Sequence, residues 1–88
     1  MQTQSEKTVH DSAYQFLVEA LRASRRQANV TQTDLALELG MDQSYVSKYE
    51  RAERRLDVVE VWAICQALKI DWADFMGKFD KVLRKRGL

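Results

Sequence analysis

The 88-residue sequence contains no proline and only three glycines. Because these residues supply most tight turns between short strands, their scarcity disfavours an all-β fold and favours helices. Cys65 is the single cysteine, so neither an intrachain disulfide nor a zinc site built on paired cysteines is possible. No apolar run reaches the roughly 18 residues that a membrane-spanning helix needs, and residues 1–10 lack the apolar core of a signal peptide. A cytoplasmic location without membrane contact is therefore predicted.

Side chains that carry chemistry are equally scarce. His10 is the single histidine and has no cluster of potential metal ligands beside it, and no glycine-rich phosphate loop is present. No nucleophile, base and orienting group can be assembled from this inventory. The sequence therefore predicts neither an enzyme, nor a metal site, nor a cofactor, and 88 residues leave no sensing domain for a small-molecule effector. Cys65 is interpreted as a core residue.

Charge is unevenly distributed along a chain whose formal net charge is only +1. Residues 31–50 and 56–77 each carry a net charge of −3, whereas residues 51–55 carry +2 and residues 78–88 carry +4. The small total is weak support for nucleic-acid binding. Three arginines in a basic loop, residues 51–56, either clamp phosphates or are simply solvated, and the first interpretation is favoured. They are Arg51, Arg54 and Arg55.

Hydrophobic periodicity begins after a polar stretch, residues 1–10, which is interpreted as a flexible N-terminal arm. A first helix is predicted to start at Asp11 or Ser12 and to end near Ala28, with Asn29 as a left-handed cap. Its predicted buried face follows i, i+3, i+4, i+7 spacing. That face comprises Ala13, Phe16, Leu17, Ala20, Leu21 and Ser24.

The stretch from Thr31 to Glu50 predicts two short helices joined by a tight turn at Gly40. Thr31 and Asp34 form a capping pair, and Gly40 supplies the positive φ at which the first of these helices ends. The predicted inward residues are Leu35, Ala36, Leu39, Met41, Val46 and Tyr49. Helix, turn and helix at this spacing can deliver one helix to the DNA major groove, although the same pattern fits a plain helical hairpin.

Two further helices are predicted beyond the basic loop. A capping box of Asp57 and Glu60 starts the fourth, and Asp71 caps the fifth. The fourth has as its apolar positions Val58, Val61, Trp62, Ile64, Cys65 and Leu68. An apolar stripe continues past residue 77 into a basic helical extension, residues 78–88, where it either packs on its own core or forms a dimer contact. The dimer is favoured, and the stripe residues concerned are Phe79, Val82 and Leu83.

Three segments carry a resemblance to a known family: TQTDLALELGMDQSYVSKYER, RRLDVVEVWAICQAL and DWADFM. Between about Leu21 and Met76 the sequence resembles the Cro/phage-repressor (XRE-type) helix-turn-helix family. This implies an all-α, lambda-repressor-like bundle of four or five helices, placed at residues 11–77. Ala52 and Lys69 stand where the family usually has glycine, so both positions are expected to need left-handed backbone.

The resemblance also implies roles for single residues. Gln32 is expected to touch a phosphate and to brace the recognition helix, while Arg25 and Glu50 form an ion pair between the first and third helices. Positions that read bases or grip the adjoining backbone correspond to Gln43, Ser44, Ser47 and Lys48. Tyr45 is expected near the DNA backbone, with packing on the motif as the alternative.

The predicted function is that of a sequence-specific, repressor-like transcriptional regulator. As a homodimer it would insert the helix around residues 43–51 into the major groove of double-stranded operator DNA. The alternative is an antitoxin or protein-interaction adaptor built on the same fold.

Overall fold

The computed structural model describes the backbone of residues 3–88 and the side chains of residues 12–88. Five helices follow one another along the chain, in agreement with the predicted all-α class. Their bounds are α1 Thr3–Gln27, α2 Gln32–Leu39, α3 Gln43–Glu50, α4 Val58–Leu68 and α5 Trp72–Lys85. Within these described residues, none of the helices has the length and apolar character needed to cross a membrane.

Helix α1 begins earlier than predicted. It starts at Thr3, so Asp11 and Ser12 lie inside the helix rather than at its cap, and the predicted start is wrong. The expected arm therefore has helical backbone over residues 3–10, and its first two residues lie outside the described part. Nothing in residues 3–10 breaks a helix, since the stretch contains neither proline nor glycine. The lack of apolar periodicity in residues 3–10 therefore does not mark the start of the helix.

The buried line of α1 also differs from the predicted face. Its members are spaced i, i+4, i+7, i+11: Tyr14, Val18, Leu21 and Arg25. The other residues of the predicted face, such as Leu17 and Ala20, are half-buried beside it. The buried face of α1 is therefore rotated relative to the predicted one, and the polar ends of Tyr14 and Arg25 form hydrogen bonds inside the bundle. The Tyr14 hydroxyl, for example, donates to the carbonyl oxygen of Arg54 at 2.5 Å.

The core lies where the five helices meet, and Phe75 is the contribution of α5. Its largest fully buried side chains are Tyr49, Leu21, Leu35, Ile64, Val18, Val46 and Cys65. Cys65 is a core residue, as predicted, and its burial raises the pKa of the thiol to about 11. Three side chains that were predicted to face inward are instead exposed: Met41, Val58 and Trp62.

Helix α5 runs without a break across the predicted boundary between residues 77 and 78. Phe79 and Leu83 line an open, mostly apolar cleft together with Arg55 and with Ala13, Tyr14 and Leu17 of α1. Both side chains are half-buried there, whereas Val82 is exposed. Phe79 and Leu83 therefore pack against α1, which is the alternative given for this stripe, while the predicted dimer contact is not tested by a single chain.

Candidate nucleic-acid interface

Helix α3 presents a polar outer face. Its side chains Gln43, Ser44 and Lys48 are exposed, and Ser47 is half-buried. On the opposite side Val46 and Tyr49 are fully buried. The turn before the helix is set by Gly40, which has φ 69° and whose amide caps α2 together with that of Met41. The hairpin therefore projects one polar helix face from a packed scaffold, as its sequence predicts.

A chain of hydrogen bonds fixes the start of α3 to the scaffold. The Gln43 amide Nε2 donates to Gln32 Oε1 at 2.7 Å, and Gln32 Nε2 donates to Glu50 Oε1 at 2.9 Å. Gln32 thus spans α2 and both ends of α3, which is the bracing arrangement that the family resemblance implied. A consequence is that one end of the Gln43 side chain is oriented before any ligand arrives.

The predicted ion pair between Arg25 and Glu50 anchors this chain. Arg25 Nε donates to Glu50 Oε2 at 2.7 Å and Nη2 donates to Oε1 at 3.0 Å, while Nη1 donates to the carbonyl oxygen of Val30 at 2.8 Å. The Glu50 side chain is only 3% exposed. The hydrogen bond to the Glu50 carboxylate raises the pKa of the Arg25 guanidinium. This pair holds α3 against α1 and so sets the position of the outer face.

Tyr45 does not lie on that outer face. Its side chain is buried, its ring meets Tyr49 edge to face at 5.7 Å between centroids, and its hydroxyl donates to Glu60 Oε2 at 3.2 Å. Burial, with the nearby Glu60 carboxylate, raises the pKa of Tyr45 to about 12. Tyr45 therefore packs on the motif, which is the alternative given for this residue, and its contact with the DNA backbone stays a prediction.

Each of the three loop arginines has a contact within the chain. Arg51 donates to Glu53 from Nε and Nη2, and from Nη1 to the Ser47 hydroxyl. Arg54 Nη1 lies 3.1 Å from Glu60 Oε2, and its guanidinium lies 4.6 Å from the Tyr45 ring centroid. Arg55 stacks 4.5 Å from the Tyr14 ring centroid. The structure therefore places Arg51 and Arg54 beside α3 and Arg55 beside α1, each in a defined contact.

Glu53 and Glu60 are the site residues that the sequence analysis missed. Glu60 was assigned only to the capping box, which is present, with Asp57 accepting from the Glu60 amide and Glu60 accepting from that of Asp57. It also receives Arg54 and Tyr45. The signal present in the sequence was an acidic residue soon after an arginine, because Glu53 follows Arg51 by two positions and Glu60 follows Arg54 by six.

The arrangement has the chemistry of a reading surface. Amide, hydroxyl and ammonium groups stand on one short helix, and arginines flank its carboxyl end. Such groups hydrogen-bond base edges and phosphates, which are the two kinds of contact in a protein–DNA interface. Fold and site together define a helix-turn-helix DNA-binding protein.

Comparison with known proteins narrows this class. The helix-turn-helix family model matches residues 21–75, and the chain belongs to the XRE/Cro-repressor type of this family. An XRE-family like protein from Pseudomonas syringae pv. tomato str. DC3000 is similar at 40% identity. The match covers 91% of this chain and 98% of that chain, with a TM-score of 0.84. DNA-binding regulation of transcription is therefore the general function of the chain.

Two more distant structures share the fold. The restriction-modification controller protein C.Esp1396I, solved as a tetramer with its natural 35 base-pair operator, is 25% identical over 78% of this chain and 91% of its own, with a TM-score of 0.72. The clp gene regulator ClgR from C. glutamicum is 26% identical over 78% and 88%, with a TM-score of 0.70. No curated protein matches the chain.

Proposed function

We propose that the protein binds a specific DNA operator with the outer face of α3 in the major groove, using Gln43, Ser44, Ser47 and Lys48 for bases or adjoining phosphates. The observation that carries this proposal is the hydrogen-bonded chain from Gln43 through Gln32 to the buried Glu50. It orients a base-reading group in advance, which lowers the ordering entropy that binding must offset. The operator complex of C.Esp1396I, a protein of the same fold, supports the proposal.

Selection from a pool of random duplexes tests the contact assignments. Ser47→Ala and Gln43→Ala should each relax the preference at one or two base positions, because a lost base contact changes discrimination by about 1–3 kcal/mol at most. Arg54→Ala should instead weaken all duplexes alike and flatten the salt dependence by about 0.9 in log–log slope, as expected for one lost phosphate contact.

The matched control is Lys78→Ala, which removes one exposed cation from α5 and leaves α3 unchanged. It should leave both the selected sequence and the salt slope as they are. Selection of the same sequence by Ser47→Ala, Gln43→Ala and the parent chain would contradict the base-reading roles.

The proposed binding unit is a symmetric homodimer, which would place two α3 helices about 34 Å apart, one DNA turn, on a palindromic operator. Since Phe79 and Leu83 pack on α1, we place the dimer surface on α4 instead. There Val58, Val59 and Trp62 are 63%, 66% and 48% exposed and lie on neighbouring turns. An apolar group of this kind, with a tryptophan, is typical of the centre of an interface.

Solution mass by light scattering tests this surface. Val59→Glu should convert a dimer into a folded monomer, because a charge in an apolar interface is not compensated, and operator affinity should then fall at least tenfold. Val82→Glu, at another exposed valine on α5, is the control and should leave the mass unchanged. A parent chain that is monomeric on its operator would contradict the dimer.

The direction of regulation is expected to be repression, as the family resemblance implies. In a reporter whose promoter overlaps the selected operator, expression of the chain should lower the signal, and Ser47→Ala should restore it. The alternative, an adaptor whose partner docks on residues 78–88, loses support because much of that stripe packs on α1. Co-purification of a tail-bound partner without DNA retention would favour it.

A further inference from the structure

The carboxyl end of α3 folds back on the helix. The amide of Glu53 donates to the carbonyl oxygen of Lys48 at 2.8 Å and that of Ala52 to Tyr49 at 2.9 Å, and Ala52 has φ 60°. This double hydrogen bond with a left-handed residue is the Schellman ending of a helix. It returns the Glu53 carboxylate to the side of α3 that carries Lys48 and Arg51.

Arg51 is held there from two sides. Its Nε and Nη2 donate to Glu53 Oε2 and Oε1 at 3.1 and 3.0 Å, which is the bidentate geometry of a guanidinium on a carboxylate. The remaining arm, Nη1, donates to the Ser47 hydroxyl. The hydrogen bonds from Arg51 lower the pKa of the Glu53 carboxyl, and Lys48 contributes in the same direction. Glu53 is therefore ionised at neutral pH.

We propose that Glu53 is a specificity-determining residue of the DNA interface, acting through Arg51. The carboxylate keeps the guanidinium over Ser47 and withholds it from DNA phosphates, which any sequence would supply. An arginine without this partner would add affinity for all duplexes equally, because phosphate contacts carry no sequence information. This inference rests on the proposed function of α3 as the reading helix.

The same contact assigns the role of the Ser47 hydroxyl. A serine hydroxyl has one proton to donate and two lone pairs that accept. With Arg51 on the accepting side, the proton is left for the DNA. Base atoms that can accept it in the major groove are purine N7, guanine O6 and thymine O4. Ser47 should therefore prefer a base that presents an acceptor atom. Glu53 should preserve this preference indirectly, by holding Arg51 against the Ser47 hydroxyl.

The test is Glu53→Gln, measured against the selected operator and against an unrelated duplex. Affinity for the unrelated duplex should rise, with the log–log salt slope steeper by about 0.9 as Arg51 gains a phosphate. The phosphate contact adds the same affinity on both duplexes and cancels in the ratio of operator to non-specific affinity. That ratio should still fall about two- to fivefold, the range corresponding to an exposed ion pair, because the Ser47 hydroxyl loses the Arg51 contact that orients it toward the operator. Selection should show relaxed preference at the same base positions that Ser47→Ala relaxes.

Asp80→Asn is the matched control. Asp80 accepts from Arg84 Nε at 2.9 Å in a solvent-exposed pair on α5, and its substitution changes the net charge by the same amount. It should leave the salt slope and the affinity ratio unchanged. Equal effects of Asp80→Asn and Glu53→Gln would reduce the result to net charge and overturn the inference.

The Arg51→Gln background separates positioning from direct repulsion. There Glu53→Gln should have no further effect on the affinity ratio, since the residue acts through the guanidinium. A persisting effect would mean that the carboxylate simply repels phosphates, and the inference would be wrong. If the parent chain binds its operator but Glu53→Gln has the same ratio of operator to non-specific affinity as the parent, the inference is overturned and the proposed function is not. A parent chain that retains no duplex at low salt overturns both the inference and the proposed function.

Discussion

Glu50 is the residue on which the position of α3 depends. Its carboxylate is almost fully removed from solvent, yet it accepts hydrogen bonds from Arg25 twice and from Gln32 once. A buried charge is tolerated only where such partners replace the lost water. Arg22 adds a weaker, half-exposed contact at 4.0 Å. The pair joins α1 to α3, so it both stabilises the fold and fixes the helix face for which DNA contacts are proposed.

Removing one partner of the Arg25–Glu50 pair should be costly. Arg25→Ala is expected to lower the free energy of unfolding by about 3–5 kcal/mol, because it leaves the Glu50 carboxylate buried without its main donors. Urea denaturation followed by circular dichroism measures the change. Asp80→Asn breaks an exposed pair on α5 and should alter the free energy by less than about 1 kcal/mol. Equal losses in the two variants would show that Glu50 is solvated in the folded state.

At the scale of the elements, three of the connections depend on left-handed residues that are not glycine. Asn29, Ala52 and Lys69 have φ of 58°, 60° and 60°. Asparagine tolerates this conformation, but a residue with an ordinary Cβ is strained there. The family's glycines at the positions of Ala52 and Lys69 predict left-handed backbone there, and the structure confirms it. The ends of α3 and α4 therefore carry local backbone strain at Ala52 and Lys69.

Lys69→Gly should relieve that strain. It is expected to raise the free energy of unfolding by about 1 kcal/mol, since Lys69 is exposed and little else changes. Lys78→Gly, the same substitution in the right-handed interior of α5, should lower it by about 1 kcal/mol. Thermal or urea melts of the two variants should thus move in opposite directions. A loss of stability in Lys69→Gly would contradict the assigned strain.

For the molecule as a whole, the core combines apolar side chains with ionisable groups held neutral. Burial raises the pKa of Cys65 to about 11 from 9.0, that of Tyr45 to about 12 from 10.0, and those of Tyr14 and Tyr49 in the same direction. All four groups lie in the core around which the helices pack. Their ionisation is therefore coupled to unfolding.

Stability should accordingly fall in alkali. A group whose pKa is higher in the folded than in the unfolded chain contributes stability that is complete below the unfolded value and is lost as the pH rises through the folded value. The decline should begin near pH 9 with Cys65 and steepen above pH 10 with the tyrosines, at up to about 1.4 kcal/mol per pH unit for each group. Urea midpoints measured from pH 7 to 11 test this.

Tyr49→Phe is the matched variant for the alkaline decline. The Tyr49 hydroxyl is buried and has no hydrogen-bond partner among the described residues, so its removal breaks no such contact. The variant should fold normally at pH 7 and lose stability less steeply above pH 10 than the parent chain. An unchanged slope would mean that Tyr49 does not titrate with unfolding.

The sequence predicted the short central helices and their caps more closely than the ends of the chain. Thr31, Gly40, Asp57 and Asp71 act where they were expected, because capping depends on side chains within three or four residues. The rotation of α1 was not predicted, and for Tyr45 the sequence left DNA contact and packing on the motif as alternatives. Both depend on partners 15 or 40 positions away, the Glu60 carboxylate and the Arg54 carbonyl. Sequence spacing holds no information about such contacts.

Local sequence by itself determined that the chain is helical, where α2 to α5 begin, and which helix carries the polar outer face, because these properties follow from nearest-neighbour chemistry. Only the tertiary structure decided which of the basic side chains near that face are already engaged. Arg51, Arg54 and Arg55 look alike in sequence, but the folded chain gives each a different partner. The tertiary structure also decided that Phe79 and Leu83 are half-buried against α1 while Val58, Val59 and Trp62 remain exposed. In the described part of the chain, α1 covers the first group and no helix covers the second.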